Sequence, residues 1–346
     1  MNTKINFNDL LITGRGSTAL WLILKVLNKK FTNILVPVNI CEIIYPIIIN
    51  SDLKPVFYDV DNETGIATPQ IIEEAYSGKE EVLIVLHQFG LPVKIDEICT
   101  WAESKNIFVI EDVCCALGAT YDGQPLGTWG HAAIFSFGYS KIVECGVGGA
   151  VYSRDNLFCQ KIIEQIKHLP LYSKEHKNKD IELQTSIHNL RNSSNNLKFK
   201  KYNDIYNKYM QYLLFKLEDE DIENIHHLYI ELENNINNRS YFANRYRKEI
   251  TNSKINHVHQ IPGQTYWRYN ILVEDNNQKK LINELRNNGL LASNWYPPMP
   301  KLFERSYNPG KFRGCESFSS CVVNLFVDHR VNNSKVTQCI NLINNF

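Results

Sequence analysis

The sequence predicts an α/β fold whose first half holds a mainly parallel β-sheet. Short, uninterrupted apolar runs alternate there with longer segments whose apolar residues recur at helical spacing. Several of the apolar runs end in acidic or other polar residues, as buried strands do at the edge of a sheet. Such alternation is typical of parallel strands joined by crossover helices. Hydrophobic residues make up 44% and charged residues 21% of the 346 positions, which suits a globular protein with a sizeable core.

Each element of the first half has its own signal in the sequence. Turn residues at 14–17 precede an apolar segment with helical periodicity, and uninterrupted apolar runs indicate buried strands. The stretch 40–49 is strongly apolar but is broken by Glu42 and Pro46, which indicates a buried helix or strand and excludes a membrane-spanning helix. The predicted helices are 18–27, 71–76 and 95–104, and the predicted strands are 34–36, 55–60, 82–86 and 107–110.

The second half predicts a smaller α/β domain behind a long connecting helix. Between residues 174 and 207 the chain becomes polar and rich in Asn and Lys, which indicates an excursion of loops and helices. Apolar residues then recur at helical spacing over 225–250, and this helix would link the two domains. We expect a large domain over 1–235 and a small C-terminal domain over 236–346. The remaining predicted elements are a strand at 269–273 and helices at 279–287 and 334–343.

The charge balance and the cysteines narrow the class of protein. Lys plus Arg and Asp plus Glu both number 37, so the chain has no global field for nucleic acid or an anionic membrane. The nine cysteines show no zinc-ligand spacing, and the N-terminus has no apolar signal segment. These features favour free thiols in the cytoplasm and no metal site. The Lys- and Tyr-rich stretch 198–212 is similar to a nucleic-acid-binding stripe, but a solvated helix with a half-buried tyrosine face is the more common explanation.

Three local features carry chemistry, although each has an ordinary structural explanation. Gly16 and Ser17 stand at the start of a predicted helix, where free amides bind phosphate, but a serine there is more often an N-cap. Asp112 ends a buried strand, where its carboxylate could pair with a protonated ring nitrogen or form a structural salt bridge. Lys141 lies between an apolar strand and a glycine-rich segment. Partial desolvation there would lower its pKa and expose a nucleophilic amine, whereas most single lysines are simply solvated.

The order of these three features is more informative than any one of them. A phosphate-binding turn, a strand-end aspartate and, about thirty residues later, a lysine are what pyridoxal phosphate requires of a protein. The chain resembles the DegT/DnrJ/EryC1/StrS family of sugar aminotransferases, which have the fold of aspartate aminotransferase. The segments that carry the resemblance are GSTAL (16–20), PVFYDVD (55–61), HQFG (87–90), VIEDVCCALGATYDGQPLGTWG (109–130) and IFSFGYSK…GVGGAV (134–151), with weaker similarity at 188–191, 238–246 and 294–297.

The resemblance implies both an architecture and roles for individual residues. The architecture is fold type I, a three-layer α/β/α large domain with a mainly parallel seven-stranded sheet, followed by a smaller α/β C-terminal domain. Lys141 would form the Schiff base with pyridoxal phosphate and shuttle protons, and Asp112 would face the pyridine nitrogen. Gly16, Ser17 and Ser136 would hold the phosphate of the cofactor.

Other positions match the family pattern less well. Cys115 occupies the cofactor-binding position where many members have Gln, bonded to the phenolic oxygen, and a thiol is a much weaker partner. Cys41 stands where many members have an aromatic residue that stacks on the ring, and Arg15 stands where Ser or Asn is common. Asn189 aligns loosely with a residue that reaches the phosphate from the neighbouring subunit, which would make the protein a homodimer with shared sites.

The implied reaction is amino transfer with ping-pong kinetics, from an amino acid such as L-glutamate to a keto group of a nucleotide-linked deoxysugar. A dehydratase branch of the family would carry His at the lysine position, and Lys141 argues against it. A non-catalytic or regulatory protein on the same scaffold gains support from Cys41 and Cys115. A plain nucleotide-binding protein lacks support, because the chain has neither a G-x-G-x-x-G after its first strand nor a P-loop motif.

Overall fold

The computed structural model describes residues 4–27, 31–192, 198–274, 277–304 and 307–346. Strands and helices alternate through the first half of the chain, as the sequence predicts. The strands are β1 (Leu11–Thr13), β2 (Asn33–Pro37), β3 (Lys54–Tyr58), β4 (Val82–Leu86), β5 (Phe108–Asp112), β6 (Thr120–Tyr121), β7 (Gln124–Pro125), β8 (Ala132–Ser136), β9 (Gly149–Tyr152), β10 (Ile255–His257), β11 (Tyr269–Val273), β12 (Ala292–Ser293) and β13 (Val322–Leu325). The helices are α1 (Gly16–Leu27), α2 (Ile44–Ile49), α3 (Pro69–Ala75), α4 (Ile95–Ser104), α5 (Asn156–Lys167), α6 (Lys174–Asn192), α7 (Lys198–Tyr209), α8 (Asp219–Ile230), α9 (Leu232–Glu249), α10 (Gln278–Asn287), α11 (Pro300–Phe303), α12 (Arg313–Cys321) and α13 (Asn333–Asn344).

A seven-stranded sheet forms the centre of the first half, with the strand order β1-β9-β8-β5-β4-β2-β3. The strands from β8 through β5, β4 and β2 to β3 are parallel, and β9 runs antiparallel to both of its neighbours. The mainly parallel sheet is therefore confirmed. Asp112, the last residue of β5, lies opposite Ile134 of β8. Ligands of open α/β sheets bind at the carboxyl ends of such strands.

Helices cover both faces of this sheet. Successive residues of a strand point to opposite faces, so each strand contributes side chains to the packing with both layers of helices. Ile34 and Ile84 pack into one buried apolar cluster together with α1 and α2. Leu35 and Leu83 pack into a second cluster together with α4. All four side chains are fully buried. Burial on both faces explains why these strands are uninterrupted apolar runs in the sequence, and the three-layer arrangement is as expected.

The sequence allows either a helix or a strand over 40–49, and the structure has the short helix α2 (Ile44–Ile49) there. After β9, the polar segment folds mainly into the helices α6 and α7, which pack against each other. The tyrosines of α7 lie in the core and do not form a nucleic-acid-binding stripe. Each is at most 4% exposed: Tyr202, Tyr206 and Tyr209.

The single helix predicted over 225–250 is wrong in one respect. The structure has two helices there, α8 and α9, with a break at Glu231. The ψ angle of Glu231 is 6°, far from the value near −42° that an α-helix needs. Ile225 of α8 and Leu232 at the start of α9 both lie in the core of the large sheet, whereas Ala243, farther along α9, lies in the core of the C-terminal sheet. Helix α9 therefore passes from one core to the other.

The C-terminal part has its own sheet and core. Four antiparallel strands pair in the order β10-β11-β13-β12. Side chains of α9, α10 and α13 pack with these strands in a separate buried cluster, in which Ile271, Leu281 and Ile340 are at most 3% exposed. The smaller α/β unit is thus present, while the domain boundary at residue 235 stays a prediction. None of the described helices is both long and apolar enough to cross a bilayer.

Candidate active site

A cavity of about 570 Å³ lies where β5 and β8 end and α1 begins. Its wall comes from separate parts of the chain, namely the start of α1, the ends of these strands, the turn that follows β8, and α6. Asn189, which the structure describes on α6, is not part of this wall. The predicted site residues that the fold does bring together here are Gly16, Ser17, Asp112, Cys115, Ser136 and Lys141.

The start of α1 fits an anionic group such as a phosphate. The first N–H groups of a helix lack intrahelical partners, and a helix N-terminus carries a positive partial charge. The Ser17 hydroxyl is buried and has no hydrogen-bond partner among the described residues. A buried hydroxyl without a partner lowers the free energy of unfolding by about 1–3 kcal/mol. An anionic oxygen in the cavity would accept the missing hydrogen bond from it. A Cβ at Gly16 would lie 3.1 Å from Cys114 Sγ, the Phe135 oxygen and Ser136 Cβ, so a side chain here would crowd β8.

Asp112 contributes a buried carboxylate to the same cavity as the start of α1. It is 3% exposed and lines the cavity. Its Oδ1 accepts a hydrogen bond from the Cys114 N–H at 3.0 Å, which fixes the side chain at the end of β5. A carboxylate in this position can hold a proton on a ring nitrogen, as the pyridine of pyridoxal phosphate requires.

Glu111 precedes Asp112 but has a purely structural environment. Its Oε2 lies 3.1 Å from Nε2 of His87, and both side chains are fully buried. Its two oxygens also accept hydrogen bonds at 2.7–2.8 Å from three backbone N–H groups, those of Gly127, Trp129 and Gly130. Glu111 therefore anchors the end of β5, and Asp112 is the member of the pair that faces the cavity.

The amine of Lys141 lies in the cavity with a sulfur atom as its partner. Nζ donates to Cys115 Sγ at 3.5 Å, and Tyr296 lines the same cavity. Burial acts to lower the pKa of Lys141, but the attraction of Cys115, followed by that of Tyr296, outweighs it and raises the pKa well above the usual value. The lowered pKa expected from the sequence is therefore wrong, because acidic groups surround the amine as well as apolar ones. The amine must lose a proton before it can attack a carbonyl.

The second half of the chain fixes the backbone around Lys141. Arg239 of α9 donates through Nη2 to the Lys141 carbonyl oxygen at 3.3 Å. Asn235, on the same helix, donates to the Ile142 carbonyl oxygen at 2.7 Å. The indole N–H of Trp267 donates to the Ser140 carbonyl oxygen. The position of the lysine thus depends on α9 and on the segment before β11.

The model of the DegT/DnrJ/EryC1/StrS aminotransferase family matches most of the 346-residue chain, over residues 7–207 and 223–344. The chain belongs to this family. The match includes both halves of the fold and every residue described above as part of the cavity, from Gly16 to Tyr296.

Curated relatives in this family match only part of the chain. GDP-perosamine synthase of Escherichia coli O157:H7 is 38% identical over 101 residues, which is 29% of this chain and 28% of the relative. The lipopolysaccharide biosynthesis protein RfbH of Salmonella typhimurium is 36% identical over 119 residues, 34% of this chain and 27% of the relative. The matched stretches thus span under a third of the length of these relatives.

Solved structures match the fold over nearly the whole chain. The aminotransferase TlmJ from Streptoalloteichus hindustanus gives a TM-score of 0.80 at 18% identity, over 97% of this chain and 85% of that one. Helicobacter pylori PseC, an aminotransferase involved in the biosynthesis of pseudoaminic acid, gives 0.78 at 16% identity, over 96% and 85%. At these identities the likeness concerns the fold, which is that of the fold type I aminotransferases.

Two departures from the pattern of the DegT/DnrJ/EryC1/StrS family lie directly in the cavity. Cys41 and Cys115 both line it, and burial raises the pKa of both thiols. An aromatic ring nevertheless reaches the cavity from Tyr296, whose ring stacks on Trp267 with 6.2 Å between the centroids. The site therefore combines the lysine with two thiols and a tyrosine. In the family pattern, Gln stands at the position of Cys115 and an aromatic residue at the position of Cys41.

Asn189 stays apart from the cavity of its own chain, because it lies on the exposed face of α6. Other residues near it contact the rim. Asp180 forms an ion pair with Arg15 at 2.7 Å, and both line the cavity. Arg191 forms an ion pair with Glu42 at 2.6 Å, and both line an adjoining cavity of about 400 Å³.

Sequence reasoning missed the contributions of the C-terminal part. Tyr296 lies in the stretch 294–297, which has some similarity to the family, but nothing in that stretch indicated that its ring enters the site. Arg268 lines the adjoining cavity together with Lys141, and it carries no motif signal at all. Only the three-dimensional fold brings these side chains to the lysine.

Proposed function

We propose that the protein is a pyridoxal-phosphate-dependent aminotransferase that moves an amino group from an amino acid, L-glutamate by the family resemblance, to a keto group of a nucleotide-linked deoxysugar. One observation carries the proposal: a single cavity joins the amine of Lys141, the carboxylate of Asp112 and the unpartnered hydroxyl of Ser17 at the start of α1. These are the three groups that hold the two ends and the aldehyde of the cofactor. When bound, pyridoxal phosphate supplies an electron sink for the bond-breaking steps.

The residues of the chain then have distinct tasks. Ser17, the first amides of α1 and Ser136 bind the phosphate, where the buried hydroxyl of Ser17 gains the partner it lacks. Asp112 keeps a proton on the ring nitrogen. Lys141 Nζ would attach the cofactor; once the donor's amine has displaced it, the free amine would take the proton from the donor's α-carbon and, in the second half-reaction, would supply a proton to the sugar carbon that receives the amine. The donor and the sugar react one after the other in the same space around Lys141. The keto acid formed from the donor therefore leaves before the sugar enters, and the kinetics are ping-pong.

We expect that Lys141→Ala removes the visible absorption band that the wild-type protein gives with pyridoxal phosphate, together with all amino transfer. The test incubates each protein with the cofactor, glutamate and a panel of nucleotide-linked ketosugars, and weighs the products by mass spectrometry. Lys167→Ala is a matched control, since that lysine is exposed and pairs with Glu164 on α5.

A wild-type protein that gives no visible band would contradict the proposal and favour a non-catalytic or regulatory role on the same scaffold. A band without 2-oxoglutarate formation from any sugar of the panel would contradict the reaction but not the cofactor. A deoxygenated product without an amino group would instead favour a dehydratase, which the presence of Lys141 speaks against.

We further propose a cytoplasmic homodimer with shared sites that binds neither nucleic acid nor membrane. All nine cysteines are free thiols, which suits a reducing compartment. Asn189 is exposed on α6, so it is available to a neighbouring subunit. The names of the relatives, which refer to perosamine and lipopolysaccharide, favour a place in the synthesis of surface polysaccharides.

A further inference from the structure

Three of the nine cysteines line the cavity that holds the reactive amine. They are Cys41, Cys114 and Cys115, and the other six, all of which the structure describes, line neither this cavity nor the adjoining one. The proposed amino transfer uses none of the three as a reacting group. Thiols are readily oxidised by peroxides, so their position beside a reactive lysine has a chemical consequence of its own.

Of these three thiols, Cys115 is the one that contacts the amine. Nζ of Lys141 donates to Cys115 Sγ at 3.5 Å, and no other atom of the described residues accepts a hydrogen bond from this amine. The neighbouring Cys114 instead donates from its Sγ to the Ile134 carbonyl oxygen, at 3.9 Å. The fold therefore pairs one particular sulfur with the lysine nitrogen.

Both members of this pair are attached to a fixed backbone. Cys115 lies in the turn after β5, where the Ala116 N–H donates to the Val113 carbonyl oxygen at 2.9 Å. The Lys141 carbonyl oxygen accepts a hydrogen bond from Arg239 Nη2 at 3.3 Å. Two groups held side by side in this way react with each other much faster than with partners from solution. An electrophilic sulfur at Cys115 is therefore captured first by Lys141.

The surroundings of Cys115 restrict which reagents reach its sulfur. The residue is 4% exposed and faces the cavity of about 570 Å³, which a molecule as small as hydrogen peroxide can enter. Burial raises the pKa of the Cys115 thiol, and the charge of Lys141 is the first of the effects that act against this rise. The thiolate is the form that reacts with peroxide, and it is stabilised by the same amine that contacts it.

We propose that Cys115 and Lys141 form a reversible oxidative cross-link, a sulfenamide, when the cofactor-free protein meets hydrogen peroxide. The Cys115 thiolate attacks one peroxide oxygen: an S–O bond forms, the O–O bond breaks, and the hydroxide that leaves takes up the thiol proton as water. The neutral amine of Lys141 then attacks the sulfur of the sulfenic acid. An S–N bond forms, the S–O bond breaks, and the hydroxide leaves as water with a proton from the nitrogen. The sulfur loses two electrons in total, and one peroxide is reduced to two water molecules.

The cross-link occupies the amine that the proposed cofactor needs. A nitrogen bonded to sulfur cannot condense with the aldehyde of pyridoxal phosphate, and a lysine already attached to the cofactor cannot attack the sulfur. A dithiol reverses the cross-link: one of its sulfurs attacks Cys115 Sγ and expels the Lys141 amine, and its second sulfur then closes a disulfide and returns Cys115 as a thiol. This consequence rests on the proposed function, whereas the cross-link itself does not.

The test is an order-of-addition experiment read by mass spectrometry and by absorbance. Cofactor-free protein is treated with hydrogen peroxide, its remaining thiols are alkylated, and it is digested. We expect a peptide pair joined between Cys115 and Lys141, two hydrogen atoms lighter than its separate peptides and released by dithiothreitol. Pyridoxal phosphate added after the peroxide should give no visible band until dithiothreitol is added. Protein loaded with the cofactor first should keep its band.

Single-cysteine variants identify the sulfur. C115A should form no cross-link and should give the visible band even after peroxide treatment, and C115S, which keeps the size of the side chain, serves in its place if C115A does not fold. C114A removes the neighbouring thiol of the same cavity and should cross-link as the wild type does. C339A removes a thiol buried in the C-terminal core and should also behave as the wild type does.

Two results would overturn the assignment. One is an unmodified Lys141 in peroxide-treated protein, whether Cys115 stays reduced or proceeds to a sulfinic acid. The other is a disulfide that joins Cys115 to Cys41 or Cys114 in place of the S–N bond. Failure of the proposed function is separately visible, because such a protein gives no visible band with pyridoxal phosphate before any peroxide is added, while its digest still reports on the cross-link.

Discussion

Cys115 contacts the reactive amine and acts to raise its pKa. Its sulfur is the hydrogen-bond partner of Lys141 Nζ, at 3.5 Å, in a position where the family pattern has Gln. A neutral amide would leave Tyr296 as the first of the groups that raise the pKa of the lysine against the effect of burial, whereas the thiol acts to raise that pKa further. The replacement therefore changes how readily the lysine gives up a proton, in addition to the contact with the cofactor.

We expect Cys115→Ala to lower the pKa of Lys141, because the first of the groups that raise it is removed. At a given pH below that pKa, a larger fraction of the amine is then neutral and able to attack the aldehyde. The rate of cofactor attachment, followed by absorbance across a pH series, should therefore reach half its plateau at a lower pH in the variant. Cys339→Ala is the control, since that thiol is buried in the C-terminal core. An unchanged or upward-shifted profile in Cys115→Ala would contradict the coupling.

At the scale of elements, α1 has two neighbouring hydroxyls with opposite environments. The Ser17 hydroxyl has no partner among the described residues, whereas Thr18 Oγ1 donates to the Leu213 carbonyl oxygen at 2.7 Å. The first is available to a ligand, and the second ties the helix to the segment after α7. Neighbouring residues of one helix thus have different tasks: Ser17 is available for ligand binding, and Thr18 stabilises the fold.

We expect Ser17→Ala to raise the free energy of unfolding of the cofactor-free protein by about 1–3 kcal/mol, because a buried hydroxyl without a partner is removed, and to weaken pyridoxal phosphate binding about tenfold, the effect of one lost charge-assisted hydrogen bond. Thr18→Val should do the reverse, with a loss of about 1–3 kcal/mol in the free energy of unfolding because the Leu213 carbonyl is left unpaired. Urea titrations and cofactor titrations of the two variants provide the comparison. Equal cofactor affinity in Ser17→Ala and the wild type would argue against the phosphate at α1.

The elements that the sequence predicts most accurately are those with a single, strong periodicity. The predicted strand 82–86 and helix 95–104 coincide with β4 and α4, because one is buried on both faces and the other has a narrow apolar stripe. The break at Glu231 could not be predicted, since apolar spacing continues across it. Leu232 after the break packs into the same core as Ile225 before it, so the change of direction depends on tertiary packing, which local periodicity does not record.

At the scale of the whole molecule, the candidate site divides in the same way. Gly16 and Asp112 follow from the sequence because they stand at the start of a helix and at the end of a strand, and Lys141 follows because it lies in the turn after β8; ligands of open α/β sheets bind at this edge. Tyr296 and Arg268 do not, because they enter the cavities from the C-terminal part, whose contact with the lysine is established only by folding. The low pKa expected of Lys141 failed for a related reason, as its acidic neighbours come from several segments.

The proposed shared sites predict complementation between two inactive variants. If Asn189 acts in the neighbouring subunit, a mixed dimer of Asn189→Ala and Lys141→Ala chains holds one site with both residues intact. Refolding or co-expressing the two in equal amounts should then restore about a quarter of the wild-type activity, as random pairing into two-fold dimers requires.

The control mixture pairs Lys141→Ala with Asp112→Ala. Both residues line the cavity of one chain, so each mixed dimer has one defect in each site. We expect no recovery from this mixture. No recovery with Asn189→Ala would place Asn189 outside a shared site, whereas recovery in the control mixture would contradict the assignment of Lys141 and Asp112 to the same site. Sedimentation of the wild-type protein tests the dimer itself.

The buried carboxylate of Glu111 has a consequence for the catalytic cycle. Its oxygens accept hydrogen bonds from three backbone N–H groups and contact His87, and these contacts fix the C-terminal end of β5. In the proposed reaction, a small amino acid and a larger nucleotide sugar bind in the same cavity one after the other. The contacts of Glu111 keep Asp112 in one position while either substrate is bound. Any adjustment to the different sizes of the two substrates must then come from other residues of the cavity.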